Sequence, residues 1–461
     1  MALKYTTDFN LKTISLITSI GVIDITQYLV ELSYFEEIFS PAISGKLVLS
    51  ESFGLINLSM LSGNEFIQLD FNKVSNEDDK DYENIKRIFR VFSVTNRHFD
   101  TANNYETYVL NFCSEEMYIS EQYRISKSYK KKKISEIITD IMKSYLGVGN
   151  GYGKNFYYEE TTGVYDFVLP NKKIFETINW LSGYAMPKNN NLGADMLFFE
   201  TNMGFQFSSL QSLFSNDPVV EFTYNPKNLG TSAGDPDLGD EQYEIMKLEI
   251  LDTFDTLGAT TKGMFANRVI TLNTLTRTTS INDFDYNKYQ MDDSSVQLNE
   301  YAITNNYKNR VGGFSWDPSP KDRQTGALRL CVSNGSNQSV DYIKSKPGTV
   351  SNDFMIEKTL PYRVSQLSLT NYNRLRVTVP GYNELSVGMT INAVIFGISL
   401  SDKKEYDNYL SGRYLVSALR HIITPTSYIT VLEIIKDSTI SPLNGVDNSD
   451  SGYKAIVKGV Q

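Results

Sequence analysis

The carboxy-terminal hundred residues constrain the fold more than any other part of this chain. A short helical segment at residues 360–367 precedes runs of alternating apolar and polar residues that end at Pro and Gly corners. Alternation with a period of two is typical of half-buried β-strands, and Pro and Gly mark the turns between them. This region therefore predicts a helix followed by antiparallel β-structure, and it contains no grouping of residues typical of catalysis.

The first 117 residues show the same alternation around one short predicted helix at residues 53–61. Five or more antiparallel strands in so short a segment are typical of a small β-barrel. The clearest predicted strands lie at residues 44–50, 65–71, 87–94 and 105–112.

The middle of the chain has a different character. Residues 134–146 place apolar side chains at i, i+3, i+4 and i+7, which predicts an amphipathic helix that ends at Gly147. A second helix at residues 173–181 and a hairpin at residues 197–207 follow. Four lysines at residues 130–133 precede the first helix, and we interpret them as a solvated face because no second basic cluster supports nucleic-acid binding.

Several connecting segments are long and polar. Residues 216–244 have the Pro, Gly and Asp content of a loop or linker. Residues 277–352 are too long for an idle loop in a compact domain, so they are either an insertion that contacts a neighbouring subunit or disordered in the isolated chain. The tail at residues 441–461 is expected to be mobile or docked on a partner.

Length and composition indicate a multidomain soluble protein. The chain has 461 residues, 41% apolar and 21% charged, which is too long for one ordinary core. It contains no apolar run long enough to cross a bilayer, and its first ten residues lack a signal pattern, so we expect synthesis in a cytoplasm without export.

Charge and cysteine content exclude some functions. The formal net charge of −10 opposes tight binding to nucleic-acid phosphates, although a like-charged channel wall would let a nucleic acid pass. Cys113 and Cys331 are far apart in unlike contexts, so we predict two reduced and mostly buried thiols, with neither a disulfide framework nor a metal site.

The chemistry-bearing residues do not form a recognisable catalytic set. His98 and His421 are the only histidines, and we predict that both are structural. The Gly-rich loop at residues 147–153 follows a helix and precedes an extended segment, the reverse of a phosphate-binding loop.

Acidic residues offer two weaker possibilities. Adjacent carboxylates at residues 115–116 and 159–160 would point to opposite faces of a strand, so they would not converge for glycoside hydrolysis. The acidic run at residues 77–79 is interpreted as a solvated loop. A calcium site built from Asp283, Asp285 or residues 292–293 stays open, although the spacing of an EF-hand is missing.

Four carboxy-terminal stretches carry a family resemblance. They read Leu-Pro-Tyr-Arg-Val-Ser-Gln at residues 360–366, Val-Pro-Gly at 379–381, Leu-Ser-Val-Gly at 385–388 and Leu-Ser-Gly-Arg-Tyr-Leu-Val at 410–416. In this order they resemble the second barrel of the central baseplate hub protein of T4-like contractile-tailed phages. The three glycines, Gly381, Gly388 and Gly412, are expected to supply turn conformations.

Two further regions extend the resemblance. Gly63-Asn-Glu65 before an alternating strand is similar to the first barrel of the hub family. The middle region resembles the α/β insertion that follows this barrel in hub proteins and their secretion-system relatives. The resemblance implies an α+β, β-rich fold with two tail-tube-like antiparallel β-barrels, an inserted α/β domain and long loops. The implied domains are the first barrel at 1–117, the α/β insertion at 118–240, the second barrel at 241–276 and 355–440, a long loop or insertion at 277–354 and a tail at 441–461.

The resemblance also implies a structural function without catalytic, cofactor-binding or metal-binding residues. Three chains would form a pseudo-sixfold ring that joins the tail tube to the central spike and lines the DNA channel. The implied partners are two further copies of the chain, the ring of tail tube protein, a separate spike protein and the baseplate wedge proteins. Viral DNA would pass without specific binding, through a lumen expected to be acidic. The implied location is the tail baseplate of the virion, assembled in the host cytoplasm.

Two other classes of function stay open at this point. One is a tail-associated hydrolase that acts on cell wall or capsule, which would need convergent carboxylates in a pocket. The other is a receptor-binding tail protein, which the 30 tyrosines and 25 phenylalanines permit.

Overall fold

A computed structural model describes most of the chain and shows a β-rich α+β fold with few helices, as the sequence predicts. Within the described ranges, no helix has the length and apolar character needed to span a membrane. The described residues are 10–72, 85–100, 104–149, 153–188, 195–225, 243–273, 277–286, 296–302, 327–333, 356–397 and 406–441.

The amino-terminal part contains strands at each of the predicted positions and the predicted short helix. Burial alternates along Ser44–Glu51 and Tyr105–Cys113, as expected for strands with one face on a core. The elements are β1 (Asn10–Thr18), β2 (Gly21–Asp24), β3 (Leu29–Glu37), β4 (Ser44–Glu51), α1 (Leu55–Ser59), β5 (Phe66–Asn72), β6 (Ile85–Asp100) and β7 (Tyr105–Cys113).

The middle part combines helices with short strands. The predicted apolar stripe of Ile134–Leu146 is buried, and Gly147 ends this helix in the left-handed conformation with φ of 68°. The elements are α2 (Glu115–Gln122), β8 (Arg124–Ile125), β9 (Ser128–Lys132), α3 (Ile134–Leu146), β10 (Asn155–Tyr158), β11 (Tyr165–Val168), β12 (Lys172–Lys173), α4 (Ile174–Ser182), β13 (Met196–Thr201), β14 (Gly204–Ser209) and α5 (Leu210–Phe214).

The remaining described residues are again mostly strands. The elements are β15 (Pro218–Tyr224), β16 (Lys247–Asp252), α6 (Thr256–Lys262), β17 (Ala266–Asn273), β18 (Thr278–Asp285), β19 (Tyr301–Ala302), β20 (Ala327–Ser333), α7 (Ile356–Leu369), β21 (Arg374–Pro380), β22 (Thr390–Ile395), β23 (Gly412–Ile423), β24 (Tyr428–Ile435) and β25 (Ser438–Thr439).

One thirteen-stranded sheet organises the molecule. Its main path is β16-β21-β24-β23-β3-β4-β7-β6-β5-β1-β2, and β22, with β15 beyond it, branches from β23. The sheet covers one core around Leu47 and Phe112 and another around Val377 and Leu432. The predicted pair of closed barrels is not confirmed, because the described strands form one continuous open sheet across the junction of β23 and β3. The domain boundaries stay a prediction.

Part of the predicted 216–244 loop is instead a strand. Residues Pro218–Tyr224 form β15, which pairs in parallel with β22 and buries Phe222 in the second core. The flanking Asp-Pro and Asn-Pro dipeptides suggested a loop, but they only terminate a short strand whose partner lies far away in the chain.

The irregular stretch predicted at 277–352 contains β18, β19 and β20, and the rest of it lies outside the described residues, as does the tail from residue 442 onward. β18 and β20 flank β17 in a small separate sheet that packs on α7.

The carboxy-terminal corners use glycine in two ways. Gly388 has φ of 83°, a left-handed turn conformation that supports the sequence expectation. Gly381 has no positive φ, and a Cβ there would lie 2.1 Å from the Tyr428 ring. Its role is therefore close packing rather than turn formation, which corrects the expectation.

Candidate functional site

Eight neighbouring strands of the main sheet form an uninterrupted antiparallel run. Their order is β16-β21-β24-β23-β3-β4-β7-β6, and every adjacent pair is antiparallel. Since the number of strands is even, the first and last strands run in opposite directions. A second copy placed head to tail would therefore continue the same antiparallel alternation.

Both ends of this run are free edges among the described strands. β16 pairs only with β21, and β6 beyond Arg90 pairs only with β7, because β5 reaches no further than Arg90. Each edge exposes large apolar side chains on the core side of the sheet, including Ile250 at 51% and Phe99 at 58% exposure. Free edges with exposed apolar side chains are typical of surfaces that pair with another chain.

The side of this run that faces away from the cores is here named the polar face. Near β6 it carries a hydrogen-bonded amide, since Asn111 Nδ2 donates to Ser93 Oγ and Thr95 Oγ1, both at 3.0 Å. On the six strands from β16 to β4, the strand register places eleven charged side chains on this face. They are Lys46, Lys247, Arg374, Arg376, Arg413, Arg420, Glu31, Glu37, Glu249, Asp252 and Glu433.

A hollow of about 340 Å³ opens on the polar face beside the end of α7. It brings Glu37 and Glu433 together, and burial, with the charge of Glu433, raises the pKa of Glu37. Two carboxylates in a hollow are what a tail-associated hydrolase would need. Glu433 is, however, occupied through both oxygens, by Arg374 at 3.0 Å and Arg376 at 3.7 Å, so it is an ion-pair partner rather than a free base.

A buried polar cluster lies where β3 of the first core meets β23 of the second. The Tyr34 hydroxyl donates to Glu36 Oε1 at 3.0 Å, and the Val387 amide donates to Glu36 Oε2 at 3.2 Å. His421 packs on Tyr34, and its Nδ1 lies 2.8 Å from the Tyr428 hydroxyl. Burial lowers the pKa of His421 to about 3, so its imidazole stays neutral, and burial raises the pKa of Glu36 to about 7.

We expect Glu36→Gln to stabilise the protein at pH 8 but not at pH 4.5. Glu36 has an ordinary pKa of 4.5, so its raised pKa favours the folded state below pH 4.5, and this benefit is lost as pH rises to about 7. The difference corresponds to about 3 kcal/mol between these limits. Urea unfolding of both proteins across this pH range measures it, and equal pH profiles would contradict it.

The two histidines differ in their surroundings. His421 is buried in the structural role predicted from the sequence, whereas His98 is exposed on β6. Cys113 and Cys331 are both free thiols, but they are half-buried rather than mostly buried. Burial raises the pKa of Cys113 to about 11, which makes it a poor nucleophile.

The adjacent carboxylates do not converge, although the reason differs from the one predicted. Glu115 and Glu116 lie on helix α2 rather than on a strand, and they contact different cations, Arg90 at 2.9 Å and Lys154 at 2.6 Å. Glu159 accepts hydrogen bonds from Ser209. The run at residues 77–79 lies outside the described residues.

Glu160, of the adjacent pair at residues 159–160, contacts the lysine cluster at residues 130–133. It contacts Lys133 and Lys188, which lowers its pKa to about 2. Lys132 contacts Glu136 at 3.7 Å. At least two of the four clustered lysines are therefore paired with carboxylates, which supports a solvated face over a nucleic-acid site.

Among the described residues, the predicted calcium ligands do not form a metal-binding cluster. Asp283 contacts the guanidinium of Arg268, and Asp285 lies further along β18. Residues 292–293 are outside the described residues, and the described ones contain no cluster of acidic, His or Cys side chains suited to a metal.

Sequence reasoning missed a buried ion-pair cluster that joins α2, β13 and the residue before β10. Lys154 Nζ contacts Glu116 Oε2 at 2.6 Å and Glu200 Oε1 at 2.5 Å. The second oxygen of Glu200 accepts from the Ile43 amide at 2.9 Å and from Ser114 Oγ at 2.5 Å. Lys154 directly follows the Gly-rich loop in sequence, and its carbonyl accepts a hydrogen bond from the Gly149 amide at 2.9 Å.

Comparisons with known proteins agree with this architecture. The chain is 21% identical over 416 residues to a probable baseplate hub protein of Vibrio phage KVP40, covering 89% of this chain and 91% of the relative. A tail protein from Neisseria meningitidis MC58 has the same fold with a TM-score of 0.50 and 8% identity, over 92% of this chain and 96% of that one. A prophage MuSo2 tail protein from Shewanella oneidensis also matches with a TM-score of 0.50, at 9% identity over 92% and 98%.

No protein-family model matches the chain. The resemblance to baseplate hub proteins of T4-like phages is nevertheless confirmed by the curated relative, which it matches over most of both lengths.

Proposed function

We propose that this chain is a structural hub of a phage tail baseplate and that three copies close head to tail into a ring. The observation that carries this proposal is the eight-stranded antiparallel run with a free edge at each end. A cyclic assembly uses different surfaces on the two sides of each copy, and this chain presents two different edges. Antiparallel pairing of β6 on β16 of the next copy would cover both edges.

The number of copies rests on the resemblance. Three copies of two tube-like units form a pseudo-sixfold ring, which matches a sixfold tail tube on one side and a threefold spike on the other. The proposed units are residues 1–117 and residues 241–276 with 355–440, joined by the α/β insertion at 118–240. The long loop at 277–354 and the tail at 441–461 would contact neighbouring proteins.

The proposed partners and location follow from the same assembly. The ring would join the tail tube protein to a separate central spike protein, within the wedge proteins of the virion baseplate, after assembly in the host cytoplasm. Its polar face would line the channel through which viral DNA passes. This proposed role is structural rather than enzymatic, as the similarity to a probable baseplate hub protein suggests.

The mass of the full chain in solution tests the proposal. Light scattering should give a trimer, either for the chain alone or on co-expression with its spike and tube proteins. A chain that remains monomeric in every combination contradicts the hub assignment. The hydrolase and receptor-binding alternatives would then be tested with cell-wall, capsule and host-cell binding assays.

A further inference from the structure

Between β16 and β4, the polar face is nearly balanced in charge although the chain is acidic. These six strands carry six cations and five carboxylates on this face, whereas the whole chain has a formal charge of −10. The expectation of an acidic wall therefore does not describe this surface. Since exposed arginines bind phosphate in a bidentate manner, a balanced surface needs another reason not to bind a polyanion.

The two arginines of β21 are held between carboxylates of the neighbouring strands. Arg374 contacts Asp252 on β16 through Nε at 3.0 Å and Nη2 at 2.9 Å, and it contacts Glu433 on β24 through Nη1 at 3.0 Å. Arg376 is held in the same way between Glu249 at 3.5 Å and Glu433 at 3.7 Å. Each guanidinium thus has a carboxylate on both sides.

A third arginine further along the sheet is held from one side only, by a single carboxylate and a hydroxyl of β3. Arg420 on β23 contacts Glu31 Oε1 at 3.0 Å and Ser33 Oγ at 2.8 Å, both on β3. Its guanidinium also lies over the Phe35 ring at 5.3 Å. These three arginines are therefore engaged by groups of the same face.

These ion pairs contribute little to the free energy of unfolding. Their side chains are between 23% and 45% exposed, and exposed ion pairs contribute little to stability. Their effect on a polyanion is different. A phosphate that approaches an arginine must displace a carboxylate that already occupies its donors, and this carboxylate also repels the phosphate.

We propose that the carboxylates of the polar face mask Arg374, Arg376 and Arg420, so that a nucleic-acid backbone slides along this surface without binding to it. The inference rests on the proposed function, because it assigns the polar face to the channel wall and nucleic acid as the partner that passes. Masking by paired carboxylates differs from repulsion by a uniformly acidic wall. Masking predicts that the removal of a few carboxylates creates a surface that binds nucleic acid.

The test is the affinity of the full-length chain for a short fluorescent DNA duplex of mixed sequence, measured by anisotropy over a range of salt concentrations. The double variant Glu249→Gln/Glu433→Gln keeps the side-chain shapes, removes both carboxylates from Arg376 and leaves Arg374 with Asp252 alone. Its affinity at low salt should rise about tenfold or more over wild type. The slope of log affinity against log salt should steepen by about 0.9 for each additional phosphate that the variant neutralises. Glu31→Gln should produce a smaller rise through Arg420.

The matched control is Glu221→Gln/Glu384→Gln, which changes the net charge equally at two exposed positions away from the ion pairs. If this control binds DNA as tightly as the double variant, or if neither face variant binds more tightly than wild type, the masking inference is wrong. Light scattering of the same samples separates the masking proposal from the hub proposal. If the protein forms a trimer but the carboxylate variants bind DNA no more tightly than wild type, only the masking proposal is refuted. If their affinity for DNA rises but the chain never forms a trimer, only the hub proposal is refuted.

Discussion

Lys154→Met should destabilise the protein by about 3–5 kcal/mol, the expected cost of leaving a buried charge without its partner. Glu200 has only 1% of its side chain exposed, and Lys154 compensates its charge at 2.5 Å. Burial raises the pKa of Glu200, and Lys154 opposes this rise. Without the ammonium group, Glu200 must either bind a proton or remain charged in an apolar environment, and both cost stability.

Urea unfolding monitored by Trp180 measures this effect, in a Trp316→Phe background that leaves one tryptophan. The double variant Lys154→Met/Glu200→Gln should recover part of the loss, because the uncompensated charge is then absent. Lys132→Met is the matched control, since this lysine is 55% exposed and contacts Glu136 at 3.7 Å. It should cost less than about 0.5 kcal/mol. A loss for Lys154→Met as small as that of the control would contradict the prediction.

The sequence predicted those helices and strands whose pattern of apolar residues is visible within the element itself. The stripe of Ile134, Ile137, Ile138 and Ile141 is buried on helix α3 as predicted, because a period of 3.6 residues is visible in any single sequence. β15 was missed because its partner β22 lies more than 150 residues away. The continuity of the sheet was missed for the same reason, since the pairing of β3 with β23 joins the two ends of the chain.

The polar clusters were only partly visible in the sequence. Alternation along β3 places Glu36 on the same face as Leu32 and Tyr34, so a carboxylate on the core side could have been recognised. The alternation in Arg374-Leu-Arg376 likewise indicates two arginines on one face. Their carboxylate partners depend on the register between separate strands, which a single sequence does not contain.

Ile250→Pro should weaken trimer formation while leaving the folded chain intact. The Lys436 amide donates to Asn373 at 3.2 Å, so Leu375 directs its backbone amide and carbonyl toward β24. Ile250 of β16 lies opposite Leu375, and its own amide therefore points toward the free edge. Proline there removes a donor from the outer edge without removing a bond to β21. Proline is tolerated on edge strands.

The expected loss is about 1 kcal/mol of net hydrogen-bond energy at each junction. Three junctions per ring together reduce the overall association constant by roughly a hundredfold. Light scattering over a dilution series, under the conditions in which wild type forms a trimer, measures the shift. Ile250→Ala shortens the same exposed side chain but keeps the amide, so it should assemble more nearly as wild type does. If the proline variant forms trimers at the wild-type concentration, β16 does not pair with β6 of a neighbouring copy, and the ring must close through other surfaces.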